Sequence, residues 1–148
     1  MEKFVARDPD WNSRVRSSFD KQEFMTLLGA RISRCELGAI DIEMNFRDEL
    51  TQQHGYFHAG ATTSIADSAA GYAAFTLFNA GDGVLTTEFK INLLNPARGP
   101  MLVAKGRVVK PGRTLTIAQS DVYSVGDDRL LHVATGLFTL MSVSKPDR

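Results

Sequence analysis

From Ala59 to Gly81 the chain is small or apolar on every side, and this run constrains the fold more than any other. Its Ala-rich middle favours helix, and Asn79, Gly81 and Gly83 supply stop signals, so the run predicts a helix over about residues 60–80. A helix with no polar face must be covered all round. Small side chains let a sheet wrap closely around it. The run does not read as a membrane span, because Asp67 interrupts it and Gly, Ala, Ser and Thr dominate it.

The remaining elements supply the cover. Val15, Phe19, Phe24, Leu27 and Leu28 recur near helical spacing, with Asn12 or Ser13 as a cap and Gly29 as a stop, giving an N-terminal helical segment over about residues 12–29. In residues 34–46, Ile40, Ile42, Met44 and Phe46 alternate with polar residues, the period of a half-buried strand. Gly38 marks a bulge or a hairpin turn within it. Four more strands follow over residues 84–94, 101–109, 114–124 and 130–142. Asn95-Pro96-Ala97-Arg98-Gly99-Pro100, Lys110-Pro111-Gly112-Arg113 and Gly126-Asp127-Asp128 separate them. In the first of these strands, alternation sets Thr87, Phe89, Ile91 and Leu93 on one face. One helix among runs of strands is an α+β pattern with an antiparallel sheet. No repeat or linker divides residues 1–148, which read as one domain.

Composition narrows the function classes. Seventeen Lys and Arg balance 17 Asp and Glu, which argues against broad electrostatic binding of nucleic acid or an anionic membrane. The single Cys35 forms no internal disulfide and no multi-Cys metal site, and reads as a small buried hydrophobe. No metal-ligand cluster, phosphate loop or nucleotide fingerprint is present. Residues 1–8 carry no apolar run of the signal-peptide kind, so a cytoplasmic location is expected.

Two features of the small-residue run carry chemistry. Asp67 is the only charge between Asp48-Glu49 and Asp82. A carboxylate inside a covered helix is either paired and tolerated, or perturbed and functional. His58-Ala59-Gly60 opens the same helix, where free backbone N–H groups favour a partial negative charge and Gly60 permits close approach. The plainer reading is an ordinary helix start with His58 as the cap. Asp67 lies seven residues past Gly60, about 10 Å along a helix axis. A carbonyl polarised at the N-terminus is thus out of reach of the same chain's Asp67. If both groups serve one reaction, two copies pack with helices antiparallel about a two-fold axis and share two equivalent sites.

These residues also carry a family resemblance. Gln52-Gln53-His54-Gly55-Tyr56-Phe57-His58-Ala59-Gly60 followed by Ile65-Ala66-Asp67 resembles the signature of PaaI-like hotdog-fold acyl-CoA thioesterases: an amide residue, then His-Gly-Gly, then Leu-Ala-Asp. The stretch Thr86-Thr87-Glu88-Phe89-Lys90-Ile91-Asn92-Leu93-Leu94-Asn95-Pro96-Ala97 and the turn Lys110-Pro111-Gly112-Arg113-Thr114 resemble the family's later strand and basic turn. The likeness covers about residues 35–142. It implies a hotdog fold, a curved antiparallel sheet wrapped around the central helix. It also implies homodimers, paired into tetramers, with shared sites.

Carried over by position, Asp67 matches the catalytic carboxylate, and His58 and Gly60 match the His-Gly-Gly element, with Ala59 in place of its middle Gly. Gln52 stands where an Asn often lies near the water, with Gln53 competing, and Thr86 stands at a Ser/Thr position that helps hold it. The implied activity is hydrolysis of an acyl-CoA, with the Ala59 or Gly60 amide as oxyanion donor and Asp67 as general base or nucleophile. CoA is part of the substrate, and no cofactor is implied. Arg98, Lys110 and Arg113, at strand turns, are candidates for the CoA phosphates or plain solvated charges. Phe57, Tyr72, Phe75 and Phe89 read as acyl-tunnel lining or core; His54 and His132 read as polar loop and strand residues. The alternatives are a hotdog enoyl-CoA hydratase/dehydratase and a non-catalytic acyl-CoA-binding protein.

Overall fold

The computed structural model describes residues 3–144. In chain order the elements are α1 (Trp11–Asp20), α2 (Glu23–Leu28), β1 (Ala30–Glu36), β2 (Ala39–Asn45), a 3-10 turn at Asp48–Leu50, α3 (Ala59–Phe75), β3 (Asp82–Leu93), β4 (Met101–Lys110), β5 (Leu115–Val125) and β6 (Leu130–Ser144). The strands form one antiparallel six-stranded sheet in the order β1-β2-β4-β5-β6-β3. The α3 helix packs on β2, β3, β4, β5 and β6, so the sheet wraps around it as the small-residue run requires. Among the described residues, no helix is long and apolar enough to cross a membrane.

Close approach sets the packing. Ile65, Ala66, Ala69, Ala70, Ala73 and Ala74 are fully buried on α3. Facing them, Gly106 on β4 and Gly136 on β6 flank Ser120 on β5 in one cross-strand row. A Cβ at Gly106 would lie 2.3 Å from the Ala69 carbonyl carbon, so that position is Gly because helix backbone meets strand backbone there.

The structure corrects the predicted elements at several points. The N-terminal helical segment is two helices, broken at Lys21-Gln22, and α1 starts at Trp11 rather than after Asn12 or Ser13. Asp10 occupies its cap without a side-chain bond; the Asp8 carboxylate instead accepts from the Asp10 N–H and pairs with Arg14 at 2.8 Å. Gly38, at φ 74°, turns a hairpin between β1 and β2.

The central helix ends at Phe75, short of the predicted 80. The Thr76 hydroxyl donates to the Ala73 carbonyl and accepts the Gly38 N–H, fixing that end to the hairpin. The Arg14 guanidinium then donates to the carbonyls of Phe75, Phe78 and Asn79. A cation among the last carbonyls satisfies acceptors that the helix leaves open.

The faces of β3 also differ from strict alternation. Its pairing with β6 shifts between Thr86 and Glu88, leaving Thr87 as a bulge. Thr86 and Phe89 therefore share the face turned to α3: Thr86 bonds Asp67, and Phe89 stacks on the buried Phe138. Thr87 leaves that face's pattern, and its hydroxyl donates to the Thr139 carbonyl.

Candidate active site

The lead-in to α3 is tightly held. The Phe57 N–H donates to the Ala97 carbonyl, the His58 N–H to the Leu50 carbonyl, and Thr51 bridges Phe57. His58 is the N-cap: its Nδ1 accepts the Gly60 N–H at 2.7 Å. The acceptor nitrogen carries no proton, so the ring's proton sits on Nε2. A Cβ at Gly60 would come within 2.9 Å of that Nδ1, which explains the His-x-Gly spacing as a packing need of the cap.

The cap decides which amide is free. The Gly60 N–H is taken by His58, and the Ala61 and Thr62 N–H groups go to the His58 carbonyl. The Ala59 N–H has no partner among the described residues. Ala59 also borders a cleft of about 440 Å³, walled by Gln52, Phe57, Thr62, Leu93, Asn95 and Val133 among others. An unpaired amide at a helix N-terminus, open to a largely apolar cleft, is suited to an oxygen that gains negative charge.

Gln52, not Gln53, borders this cleft. Its Oε1 accepts the N–H groups of His54 at 2.6 Å and Tyr56 at 3.2 Å, which closes the loop and leaves the amide nitrogen as the available donor end.

Asp67 lies elsewhere. It is half-buried in a small pocket of about 80 Å³ with Gln22, Gly71, Tyr72, Val84 and Thr86. The Thr86 hydroxyl donates to Oδ1 at 2.7 Å. Burial pushes the carboxyl above the ordinary carboxylate range, and the Thr86 bond pulls in the opposite direction. The described ion pairs leave Asp67 out.

The candidates thus fall into two groups within the chain. Gln52 and Ala59 meet at the cleft, near the C-terminal end of β3, while His58 and Gly60 flank Ala59 and form the cap. Asp67 and Thr86 meet near its N-terminal end. Arg98 directly follows Ala97 of the cleft wall. Lys110 and Arg113 lie at the other end of β4, about 30 Å from Met101 at the usual rise per residue. That is the Asp67 end: Leu115 and Leu85 both pair with Met141. Of the aromatic candidates, Phe57 borders the cleft, Tyr72 and Phe75 are core, and Phe89 stacks over Phe138.

Sequence reasoning missed Thr62, Leu94, Asn95, Pro96 and Val133 as cleft lining. Asn95 and Pro96 carried a turn signal and a place at the end of the family-like strand, neither of which marks them as cleft lining. Val133 arrives through a bulge: β5 and β6 pair Tyr123 with His132 and Val122 with Ala134, leaving Val133 unmatched.

Comparison with known proteins agrees with this architecture. Residues 54–130 match the family model described as Thioesterase superfamily. A protein of Saccharolobus solfataricus named as an esterase is 30% identical over 128 residues, covering 86% of this chain and 84% of that one. The crystal structure of a thioesterase family protein from Silicibacter pomeroyi is 44% identical with a TM-score of 0.89, covering 91% of this chain and 99% of the other. The PaaI protein of the E. coli phenylacetic acid degradation operon shares the fold at 19% identity, with a TM-score of 0.79 over 90% of this chain and 91% of that one.

Proposed function

Because the chain belongs to the thioesterase superfamily and has its hotdog fold, we propose that it hydrolyses acyl-CoA thioesters at two sites shared between two copies. The observation that carries this reading is the division of the chemistry: a free amide at one end of β3 and a perturbed carboxylate at the other. Neither half completes a hydrolytic site alone.

The edge strand supports the shared arrangement. Among the described residues, β3 has no strand paired on its outer side, and Leu85, Phe89 and Leu93 are each about half exposed. An open apolar edge is a ready surface for strand pairing. Antiparallel pairing of β3 with a second β3 about a two-fold axis lays the Thr86 half of one copy beside the Leu93 half of the other. Asp67 of the second copy then faces the cleft at Ala59. The Lys110–Arg113 turn travels with Asp67, while Arg98 stays with the cleft, so basic groups from both copies flank the mouth. Pairing of such dimers into tetramers belongs to the same reading.

In the reaction, the thioester carbonyl oxygen accepts the Ala59 N–H, a contact worth about 2.7–4 kcal/mol as charge develops. The ionised Asp67 takes a proton from a water held by Thr86 and Gln52, and that water attacks the carbonyl carbon. Collapse of the tetrahedral species breaks the C–S bond and releases free acid and CoA. Direct attack by Asp67, forming an anhydride that water opens, needs the same ionised carboxylate. His58 acts as the cap rather than as a base.

A thiol-release screen over acyl-CoA chain lengths tests the proposal. Release with at least one acyl group is expected; hydration of an enoyl-CoA with no thiol release from any substrate would instead favour the hydratase. The pH profile adds a second check. The carboxylate must be ionised, so kcat/KM should rise with pH through the elevated Asp67 pKa. Thr86→Val removes the bond that favours ionisation, so this acid limb should move to higher pH. A limb left in place would contradict the role of Thr86.

A further inference from the structure

Between the Leu93–Ala134 pair and the Phe57–Ala97 bond, the middle of the cleft's outer wall is held by two residues of β6. The Leu94 N–H donates to the Val133 carbonyl at 2.8 Å, and the Asn95 N–H reaches the same oxygen at 3.5 Å. The Asn95 side-chain amide donates to the His132 carbonyl at 2.8 Å. Val133 is the bulged residue, unmatched by β5, although His132 and Ala134 on either side of it pair with Tyr123 and Val122 and its side chain is buried in the core. A further hold on this part of the strand lies on the sheet face turned away from α3. There the His132 Nε2–H donates to Asp121 Oδ1 at 2.9 Å. The imidazole also stacks on Tyr123, with ring centres 4.7 Å apart and planes 17° from parallel.

Asp121 is a strong anchor. It is 5% exposed, and Gln119 and Arg107 reach its other oxygen at 3.0 and 3.4 Å. Burial raises its pKa, but hydrogen bonds from Thr135 and His132 and the pairing with Arg107 outweigh that and keep it ionised. The bond from His132 is therefore charge-assisted and stronger than a neutral one.

We infer that His132 is a positioning residue: clamped to Asp121 and Tyr123 on the outer face, it holds the β6 bulge in the place from which residues 93–97 wall the cleft. This rests on the reading of the cleft as the acyl site. The consequence is specific to binding. The Asp67–Thr86 pair is fixed by the far end of β3, and the Ala59 amide by α3 and by the His58 N–H bond to the Leu50 carbonyl. The Phe57–Ala97 bond is the tie between its lead-in and residues 93–97, so loosening Leu94 and Asn95 acts first on the cleft wall.

His132→Ala and His132→Gln in the full chain test it, because the Gln amide nitrogen reaches where Nε2 sits. Amide hydrogen exchange at Leu94 and Asn95 should speed up about ten-fold in His132→Ala, the scale of one lost charge-assisted bond, and stay near wild type in His132→Gln. For an acyl-CoA turned over by the wild type, KM should rise several-fold in the Ala variant with kcat within two-fold, and the Gln variant should restore it. Should the Ala variant not fold, His132→Asn, too short to reach Asp121, is read in its place. Unchanged exchange at Leu94 and Asn95, or a Gln variant as loose as Ala, overturns the inference. A fall in kcat with faster exchange throughout α3 does so too, since it marks general destabilisation. A wild type that cleaves no acyl-CoA contradicts the hydrolase reading, while the exchange result still decides the role of His132.

Discussion

Asp67→Asn is expected to lower kcat for acyl-CoA hydrolysis by about 10²–10⁴-fold, the usual contribution of a positioned general base. If Asp67 attacks directly, the loss reaches background. The substitution is nearly isosteric, and the Asn oxygen still accepts the Thr86 hydroxyl that now reaches Oδ1 at 2.7 Å. Packing against Gly71, Tyr72 and Val84 is unchanged in shape. Removing a carboxylate that burial already disfavours also leaves no unpaired charge behind. Thermal stability should therefore hold or rise slightly while turnover collapses, and affinity for a non-hydrolysable CoA thioether should stay within a few-fold. An unchanged kcat would remove Asp67 from the chemistry and require another group to activate the water; absence of turnover in the wild type is what would leave the non-catalytic acyl-CoA-binding alternative.

Ala59→Pro is expected to cost about 10²–10³-fold in kcat, as loss of one oxyanion donor does. The substitution deletes a single hydrogen-bond donor and sets the proline Cδ in its place at the cleft, so KM is read alongside kcat. Ala59 is the first residue of α3, where proline is well tolerated because its N–H has no partner within the helix. His58 already has ψ 140°, the extended backbone that precedes a proline comfortably. The Ala59 side chain is exposed, so the ring meets no core. The His58–Gly60 cap lies outside the changed peptide bond's donor. Circular dichroism and kcat measured together decide the matter. A folded Ala59→Pro protein with wild-type kcat would show that another group holds the oxyanion.

The sequence made the helix and its single carboxylate legible because both follow from local chemistry. A run with no polar face has to be covered, and one charge within it has to be accounted for. The helix-start amides were legible for the same reason, since any helix leaves its first N–H groups open. Which amide stays open was not legible: it depends on the His58 ring folding back onto Gly60, a rotamer choice. The bulges at Thr87 and Val133 were equally hidden, because each depends on pairing with a strand far away in sequence. Their effect is large. The first turns Thr86 to Asp67, against the alternation that favoured Thr87, and the second brings Val133 into the cleft wall. The end of α3 was misjudged because Arg14 and the Thr76 hydroxyl, rather than a local stop residue, satisfy its last carbonyls.

The same two variants also show whether each site is built from two chains. Asp67→Asn and Ala59→Pro proteins, each nearly inactive alone, are unfolded together, refolded as a mixture and assayed for thiol release. With shared sites, every mixed dimer holds one doubly defective site and one site with both native groups. Random pairing makes half the dimers mixed, so activity should recover to about a quarter of wild type. Activity that stays at the level of the separate variants, with mixed dimers demonstrably formed, would mean that Asp67 and Ala59 serve the same chain, and the two-copy site would be wrong.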